Sequence, residues 1–359
     1  MKNYDYEEDF HARDRKQFRK ERKSAQQGDR SKFKKTDLEP DKKVETDTDL
    51  HRGRVISISG EGSWVDFEGK QYLCSLKGVL KKEKMLAKNL IAVGDWVRFS
   101  PSSEKEGVIS QIEERTSHLA RTDISGRKEQ LIAVNVDQAV ISVSIVEPPL
   151  KPSLVDRYLI AAEKGNLRPV IAINKIDLLE NASEEEKELY RDFLAAYEIL
   201  GYPIVSVSTA TGVGIEALRS LLQNKTTVFS GQSGVGKSSL LNACFGLSLK
   251  VGDLAQKTYK GTHTTTMAEL IPLPGGGYCV DTPGIRSFGI WKLQKEDVIA
   301  HFQDFATYPC KFPDCSHLNE PECGVVQALE EGKISPLRYE SYATLFTEVL
   351  SGPEKTTWS

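Results

Sequence analysis

Apolar and polar residues alternate in short stretches along the chain from Arg52 to about Ile112. The alternation is clearest in residues 53–58, 63–67, 71–74, 94–99 and 107–112. A period of two is typical of β-strands with one buried face. About five strands in roughly sixty residues suit a small closed barrel of the OB type. The surface of such a barrel could hold RNA, although the pattern alone leaves open a small all-β domain that binds no ligand.

From Gln138 onward, apolar strands alternate with longer amphipathic stretches. Strands are predicted at residues 139–146, 169–173, 203–207, 227–229 and 278–280, and helices at 154–164 and 183–200. Strands that helices cover on both faces read as continuous apolar runs, so this alternation indicates a mainly parallel sheet. After Gly284 the strand pattern stops, and a short helical segment with cysteine and histidine residues runs from about Trp291 to the last residue.

The first fifty residues are polar and lack an apolar period, which predicts a flexible arm. The net charge of the chain is only −3, but residues 11–35 carry eleven Lys or Arg against three acidic residues. A disordered basic arm of this kind could also contact RNA phosphates. No apolar run approaches the roughly 20 residues of a membrane span, and the acidic, aromatic start is unlike a secretory signal, so the cytoplasm is expected.

Four regions are therefore predicted along the chain. They are a disordered basic arm (1–50), an OB-type barrel (51–115), an α/β domain (116–290) and a mainly helical domain with the cysteine and histidine residues (291–359).

The stretch after the strand at 227–229 matches the phosphate-binding pattern GxxxxGK[ST] in full. It follows a strand and precedes a helical stretch, which is the context that this motif requires. The glycines would let backbone N–H groups surround the β-phosphate. Lys237 would bring a catalytic positive charge to the β- and γ-phosphates, and Ser238 would offer a hydroxyl to Mg²⁺. The nucleotide-binding residues predicted here are Gly231, Gln232, Ser233, Gly234, Val235, Gly236, Lys237, Ser238 and Ser239.

Two further segments are predicted to contact the γ-phosphate and its magnesium ion. The DxxG segment 281–284 ends a strand, so Asp281 could hold the magnesium shell and the Gly284 N–H could contact the γ-phosphate. The hydroxyl-rich run 261–266, which includes His263 and Thr265, could close over both. By themselves, these threonines could equally be ordinary strand sequence.

Guanine recognition is predicted at Asn174-Lys175-Ile176-Asp177, an NKxD motif after an apolar strand. The Asp177 carboxylate could accept two hydrogen bonds from the guanine N1–H and amino group, a donor pair that adenine lacks. Asn174 would position the loop, and Lys175 would lay its stem along the ring. Ser208 and Thr209 begin a loop that resembles the SAK loop, which contacts the guanine carbonyl. NKxD alone could be a surface turn, but together with the phosphate loop it predicts a guanine site.

These motifs predict that the α/β domain (116–290) is a GTPase domain, and they occur in it in circularly permuted order. In a Ras-like chain the phosphate loop comes first, whereas here the NKxD and SAK-like segments precede it. Permutation can leave the sheet intact because the termini of a domain often lie close together. One consequence is that the DxxG segment leads almost directly into the C-terminal segment, so nucleotide state could be transmitted there.

A metal site is predicted in the C-terminal segment. Three cysteines and a histidine fall within fourteen residues: Cys310, Cys315, His317 and Cys323. Four nitrogen and sulfur ligands suit one tetrahedral Zn²⁺ and leave no position open for catalysis, so the site is interpreted as structural. The alternative is four unrelated cytosolic residues.

Together, these segments resemble the family of ribosome small-subunit-dependent GTPase A, also called RsgA or YjeQ. The similarity extends from about residue 52 to the last residue. It is carried by the upstream NKID and by the segments 231–242, 261–266, 281–289, 310–329 and 338–342. The basic arm is a departure, because many members of the family begin near the barrel.

The resemblance implies a bacterial factor that binds the small ribosomal subunit and its rRNA late in subunit maturation. It implies that the barrel and zinc domains make these contacts and that the subunit stimulates GTP hydrolysis. A monomer with GTP, Mg²⁺ and one Zn²⁺ is expected. Two alternatives remain open: an RNA-binding scaffold gated by nucleotide, in which hydrolysis is incidental, and a P-loop ATPase or kinase, against which NKID argues.

The residue that positions the attacking water is not evident. Many GTPases place glutamine just after DxxG for this purpose, but this chain has Ile285, which cannot hydrogen-bond. We expect His263 to take that role, although it could instead serve only to pack its loop.

Overall fold

The first five strands close into a barrel in the order β1-β2-β3-β5-β4. The computed structural model describes residues 50–78, 80, 90–122, 129–247, 268–281 and 293–351. The barrel strands are β1 (His51–Ile58), β2 (Ser63–Phe67), β3 (Lys70–Leu76), β4 (Trp96–Pro101) and β5 (Glu106–Ile112). Their inward positions form one apolar cluster around Val55, Val65 and Phe99, as the alternating pattern predicts. The OB-type barrel is confirmed.

A two-stranded ladder, β6 (His118–Thr122) and β7 (Glu129–Val134), connects the barrel to the larger sheet. The sequence pattern did not predict this hairpin. It is anchored to the barrel side by hydrogen bonds of the Val134 N–H to the Val93 carbonyl (2.8 Å) and of Arg54 Nη2 to the Asn135 carbonyl (2.6 Å). Across the same joint, the Tyr278 hydroxyl donates to the Asp66 carboxylate at 2.6 Å.

The larger sheet has six strands in the order β10-β9-β8-β11-β13-β12. All neighbouring pairs are parallel except β12 and β13. The strands are β8 (Gln138–Val143), β9 (Arg168–Ile173), β10 (Ile204–Ser206), β11 (Thr226–Gly231), β12 (Glu269–Pro272) and β13 (Tyr278–Asp281). Strand β11, which leads into the phosphate loop, lies between β8, which precedes it in the chain, and β13, which follows it. The permuted order predicted from the motifs is therefore present in the sheet.

Within the described ranges, four helices pack on this sheet. They are α1 (Pro152–Lys164), α2 (Glu184–Glu198), α3 (Ile215–Leu222) and α4 (Lys237–Phe245), and a 3₁₀ turn spans Ile176–Asn181. Helix α2 begins at a reciprocal cap, in which Ser183 accepts from the Glu186 N–H and the Glu186 carboxylate accepts from the Ser183 N–H. Helix α1 begins with a proline in its first turn, where no intrahelical N–H is needed.

The C-terminal segment is mainly helical, as predicted. It contains α5 (Lys295–His301), a 3₁₀ turn (Gln303–Thr307), α6 (Gly324–Glu330) and α7 (Pro336–Ser351). These elements enclose their own apolar cluster, which is rich in aromatic rings, among them Phe302, Phe305 and Tyr342. None of the helices in the described ranges combines the length and apolar character that crossing a bilayer requires.

Candidate nucleotide site and metal centre

The phosphate loop connects β11, near the centre of the sheet, to helix α4. Backbone φ angles of +133° at Gly231 and +91° at Gly236 lie in the left-handed region that favours glycine. A Cβ at Gly231 would lie 2.0 Å from the Ser142 carbonyl oxygen, and one at Gly236 would lie 2.6 Å from the Asn174 amide nitrogen. The two glycines therefore allow the loop to pass close to β8 on one side and to the NKxD segment on the other.

Lys237 is the first residue of α4, and backbone carbonyls of the phosphate loop hold its side chain over that loop. Its Nζ donates to the carbonyl oxygens of Gly231 (2.8 Å) and Gln232 (2.9 Å). Burial lowers the pKa of Lys237 to about 8, because desolvation disfavours the charged amine. The next residue, Ser238, is buried, whereas Ser233 and Gly234 are exposed at the loop's crest and Ser239 is half-buried.

The NKxD segment is joined directly to the phosphate loop. Asn174 is buried; its Nδ2 donates to the Val235 carbonyl at 2.8 Å, and its backbone N–H donates to Val143 at 2.8 Å. Its Oδ1 has no hydrogen-bond partner within the part of the chain that the structure describes. Lys175 adopts a φ of +63°, an uncommon conformation for a residue with a side chain. This turn separates Asn174 from Asp177.

Asp177 faces the SAK-like loop that follows β10. The buried Ser208 hydroxyl donates to the Asp177 carboxylate and accepts from the Thr211 N–H at 3.2 Å. Thr209 follows as a half-buried residue. The structure thus brings the phosphate loop, the NKxD segment and the SAK-like loop together at the carboxyl ends of β8, β9, β10 and β11, which is where ligands of open α/β sheets bind.

Several predicted site residues cannot be placed. Asp281 is the last residue of β13, directly beside β11, but its side chain is outside the described set. His263, Thr265, Gly284 and Ile285 also lie outside the described residues, as does the basic arm. Their roles remain predictions.

Two buried side chains of α1, one beside the phosphate loop and one against the C-terminal segment, were missed by the sequence analysis. Tyr158 lines a small cavity with Gly231 and Gln232, and Asp156 is fully buried against the C-terminal segment. The only signal in the sequence is an acidic residue inside the apolar stripe of an amphipathic helix, which gives neither a partner nor a role.

The four predicted metal ligands converge. Their ligand atoms all lie within 4.8 Å of one another. Cys310 Sγ is 3.8 Å from Cys323 Sγ and 3.3 Å from His317 Nδ1, and Cys323 Sγ is 3.6 Å from that nitrogen. Tetrahedral Zn²⁺ would separate two sulfurs by about 3.8 Å, and a sulfur and a nitrogen by about 3.6 Å. The donor set and its spacing therefore fit a bound metal ion.

The surrounding loop orients these ligands. The Glu320 carboxylate accepts from the backbone N–H groups of Ser316 (2.7 Å) and Leu318 (3.2 Å), and hydrogen bonds from Ser316 hold the pKa of Glu320 down to about 2. The Tyr339 hydroxyl donates to the His317 carbonyl at 2.9 Å. Burial lowers the pKa of His317, which favours the neutral imidazole that metal binding requires.

The comparisons with known proteins agree with this arrangement. The model of the family described as RsgA GTPase matches residues 112–291. A small ribosomal subunit biogenesis GTPase RsgA from Thermotoga neapolitana is 38% identical over 302 residues, which cover 83% of this chain and 97% of that protein. The protein of the same name from Chlorobaculum tepidum is 44% identical over 308 residues, or 82% of this chain and 96% of that one.

Solved structures resemble the whole described architecture. YjeQ from Thermotoga maritima has a TM-score of 0.68 at 36% identity and covers 85% of this chain and 100% of its own. YloQ, described as a circularly permuted GTPase, has a TM-score of 0.64 at 29% identity and covers 87% and 100%. The family predicted from the motif order is thereby confirmed. The chain belongs to the RsgA GTPase family, whose members hydrolyse GTP.

Proposed function

We propose that this chain is a cytoplasmic, monomeric GTPase that binds the small ribosomal subunit and its rRNA and acts late in the maturation of that subunit. The observation that carries the proposal is the meeting of three guanine-nucleotide motifs at one edge of the sheet, in a chain that also carries a closed barrel and a cysteine–histidine centre. The relatives compared above are described as small ribosomal subunit biogenesis GTPases and are covered almost over their full lengths.

Each motif has a separate task in this proposal. Asp177 reads the guanine edge while the Ser208 hydroxyl orients its carboxylate, and Lys175 lies along the ring. Backbone N–H groups of the phosphate loop and Lys237 hold the phosphates. Ser238 and Asp281 would hold Mg²⁺, which would supply positive charge opposite the negative charge that develops on the phosphates.

One Zn²⁺ held by Cys310, Cys315, His317 and Cys323 is proposed as a structural ion. Four protein ligands complete a tetrahedral shell, so no position remains for a substrate or water. Its task is to fix the loop between the 3₁₀ turn and α6.

The direct test is GTP turnover with and without purified small subunits. We expect slow hydrolysis by the free protein and stimulation by several orders of magnitude, roughly 10³ to 10⁵, with subunits. Large ribosomal subunits serve as the control for RNA surface in general. Equal rates with and without small subunits would contradict the proposed role while leaving GTP hydrolysis itself intact.

The Asp177→Asn variant tests base recognition. Because the amide presents a donor where the carboxylate accepts, we expect GTP affinity to fall by about 10²-fold. Xanthine, which offers an acceptor where guanine has its amino group, should bind better than guanine. Competition between GTP and XTP measures the shift, with Asp192→Asn on the exposed face of α2 as control. Unchanged GTP affinity would show that Asp177 does not read the base.

The lowered pKa of Lys237 predicts proton uptake on nucleotide binding. With a pKa of about 8, the amine of the free protein is about half neutral at pH 8. Nearby phosphates favour its charged form and raise the pKa, so binding should take up close to half a proton near pH 8, more above that pH and little below pH 7. Calorimetry in buffers with different ionisation enthalpies measures this uptake. The exposed Lys225→Met variant should behave as wild type, and buffer-independent enthalpies at pH 8 would contradict the prediction.

A further inference from the structure

Helix α1 contributes side chains to two apolar cores. Val155, Tyr158 and Leu159 belong to the core that includes the β8 and β9 side chains, whereas Ile160 belongs to the core of the C-terminal segment. The helix therefore has one face on the GTPase sheet and another on α5 and α7. No motif of guanine-nucleotide recognition lies on it.

The face of α1 that packs against the C-terminal segment is centred on Asp156, which has no exposed surface. One carboxylate oxygen accepts from Arg338 of α7 and lies 3.0 Å from His301 Nε2 of α5. The other accepts from the Ser341 hydroxyl of α7 and from the Tyr197 hydroxyl of α2 at 2.8 Å. Although burial opposes it, the Arg338 charge and the His301 hydrogen bond hold the pKa of Asp156 below its usual value.

This network continues on both sides of Asp156. Arg338 also binds the Asp304 carboxylate (3.0 Å), and His301 Nδ1 lies 3.0 Å from Glu163, one turn beyond Ile160 on the same face of α1. At the surface, Arg157 pairs with Glu348 of α7. The C-terminal segment thus packs on α1 through buried charged side chains that are paired. Breaking one such pair is expensive because it leaves a buried charge without compensation.

The opposite face of α1 lies against the phosphate loop. Lys151, Leu154, Val155 and Tyr158, spaced as one helical stripe, line a small cavity together with Gly231 and Gln232. Tyr158 is 2% exposed. Burial raises the pKa of its hydroxyl, and the nearby Ser230 side chain and Gly231 backbone oppose that rise. The Gly231 carbonyl is one of the two groups that hold Lys237 Nζ. A shift of α1 is therefore transmitted through Gly231 to the phosphate-binding lysine.

We propose that Tyr158 and Asp156 are positioning residues for phosphate binding, and that α1 couples the placement of the C-terminal domain to the affinity of the phosphate loop. A partner that moves or fixes the C-terminal domain would change nucleotide affinity through this helix. By thermodynamic reciprocity, bound nucleotide would strengthen the contacts between the C-terminal domain and Asp156. This route is separate from the DxxG segment. The inference rests on the nucleotide site proposed above.

A double-mutant cycle tests this coupling in the full-length chain. Tyr158→Phe removes the hydroxyl at Gly231, and Ser341→Ala removes one donor to Asp156 from the C-terminal domain. Each should weaken binding of a non-hydrolysable GTP analogue by about three- to tenfold, and the double variant should lose no more than the larger single loss. Ser220→Ala on α3 and Tyr308→Phe within the C-terminal domain remove hydroxyls elsewhere and should leave the affinity unchanged.

Hydrogen exchange supplies a readout that a purely structural role would not move. Saturating analogue should slow amide exchange in α7, and this slowing should be lost in Tyr158→Phe although that side chain lines the cavity beside the phosphate loop. The coupling would be overturned if the affinity losses of the two single variants multiplied in the double variant, or if amide exchange in α7 did not change on nucleotide binding. Neither result would affect the proposed nucleotide site, provided that the wild type binds the analogue. Absence of guanine-nucleotide binding by the wild type would overturn the proposed function as well.

Discussion

Removal of the metal from the C-terminal domain is expected to unfold residues 293–351 while the GTPase sheet stays folded. Binding of a structural Zn²⁺ contributes on the order of 10 kcal/mol in small zinc domains, which is comparable to the whole stability of many domains. The Cys315→Ser variant leaves three ligands and an incomplete shell. Elemental analysis should find one Zn²⁺ per native chain and strongly reduced metal in the variant, with fast proteolysis of the C-terminal domain.

Nucleotide binding should survive this unfolding with a modest loss. The sheet has its own apolar core, so the site at its edge persists. When the C-terminal domain unfolds, Asp156 is exposed to water instead of being left buried without partners, and the charge costs little. Unfolding removes the contacts between the C-terminal domain and α1. We therefore predict a fall in nucleotide affinity no larger than that of Ser341→Ala or Tyr158→Phe. Cys74→Ala in the barrel core is the matched control and should keep its metal. Native protein without bound metal would contradict the assignment.

The sequence predicted the features whose residues are close together along the chain. Lys237 meets the Gly231 carbonyl from six positions away, and the metal ligands span Cys310 to Cys323. Such spacings fix geometry locally, so a motif implies a site. The barrel strands were predictable for a related reason: an alternating pattern leaves only one face to bury.

The α1 junction was not predictable from the same reasoning. Asp156 is 145 positions from His301 and 182 from Arg338, and no periodicity connects residues across such separations. An amphipathic stripe indicates that a helix is buried but not which element covers each face. The β6–β7 hairpin was missed because its two short strands fall between the alternating pattern of the barrel and the apolar runs of the sheet, although Ser125-Gly126 between them is a turn signal.

Catalysis raises a separate question, because the usual guide for the attacking water is missing. Phosphoryl transfer depends on positioning and on neutralising charge more than on covalent chemistry. In the proposed site, Lys237 and a magnesium ion held by Ser238 would neutralise this charge. Ile285 stands where many GTPases have glutamine and cannot hydrogen-bond, so the free protein should be slow. His263 is the polar side chain of the threonine-rich segment best suited to orient a water by hydrogen bonding.

The variant His263→Ala is therefore expected to lose most of the subunit-stimulated rate, which we expect to exceed the free rate by roughly 10³- to 10⁵-fold. GTP affinity and subunit docking should be spared, because neither the base site nor the phosphate loop is altered. Lys237→Ala is the contrasting variant: it removes the charge that holds the phosphates, so it should weaken GTP binding itself. Single-turnover hydrolysis on saturating small subunits separates the two, since it removes binding and release from the measured rate. If His263→Ala keeps the wild-type rate under those conditions, the water is positioned by another group, and rRNA or a ribosomal protein of the bound subunit must supply it.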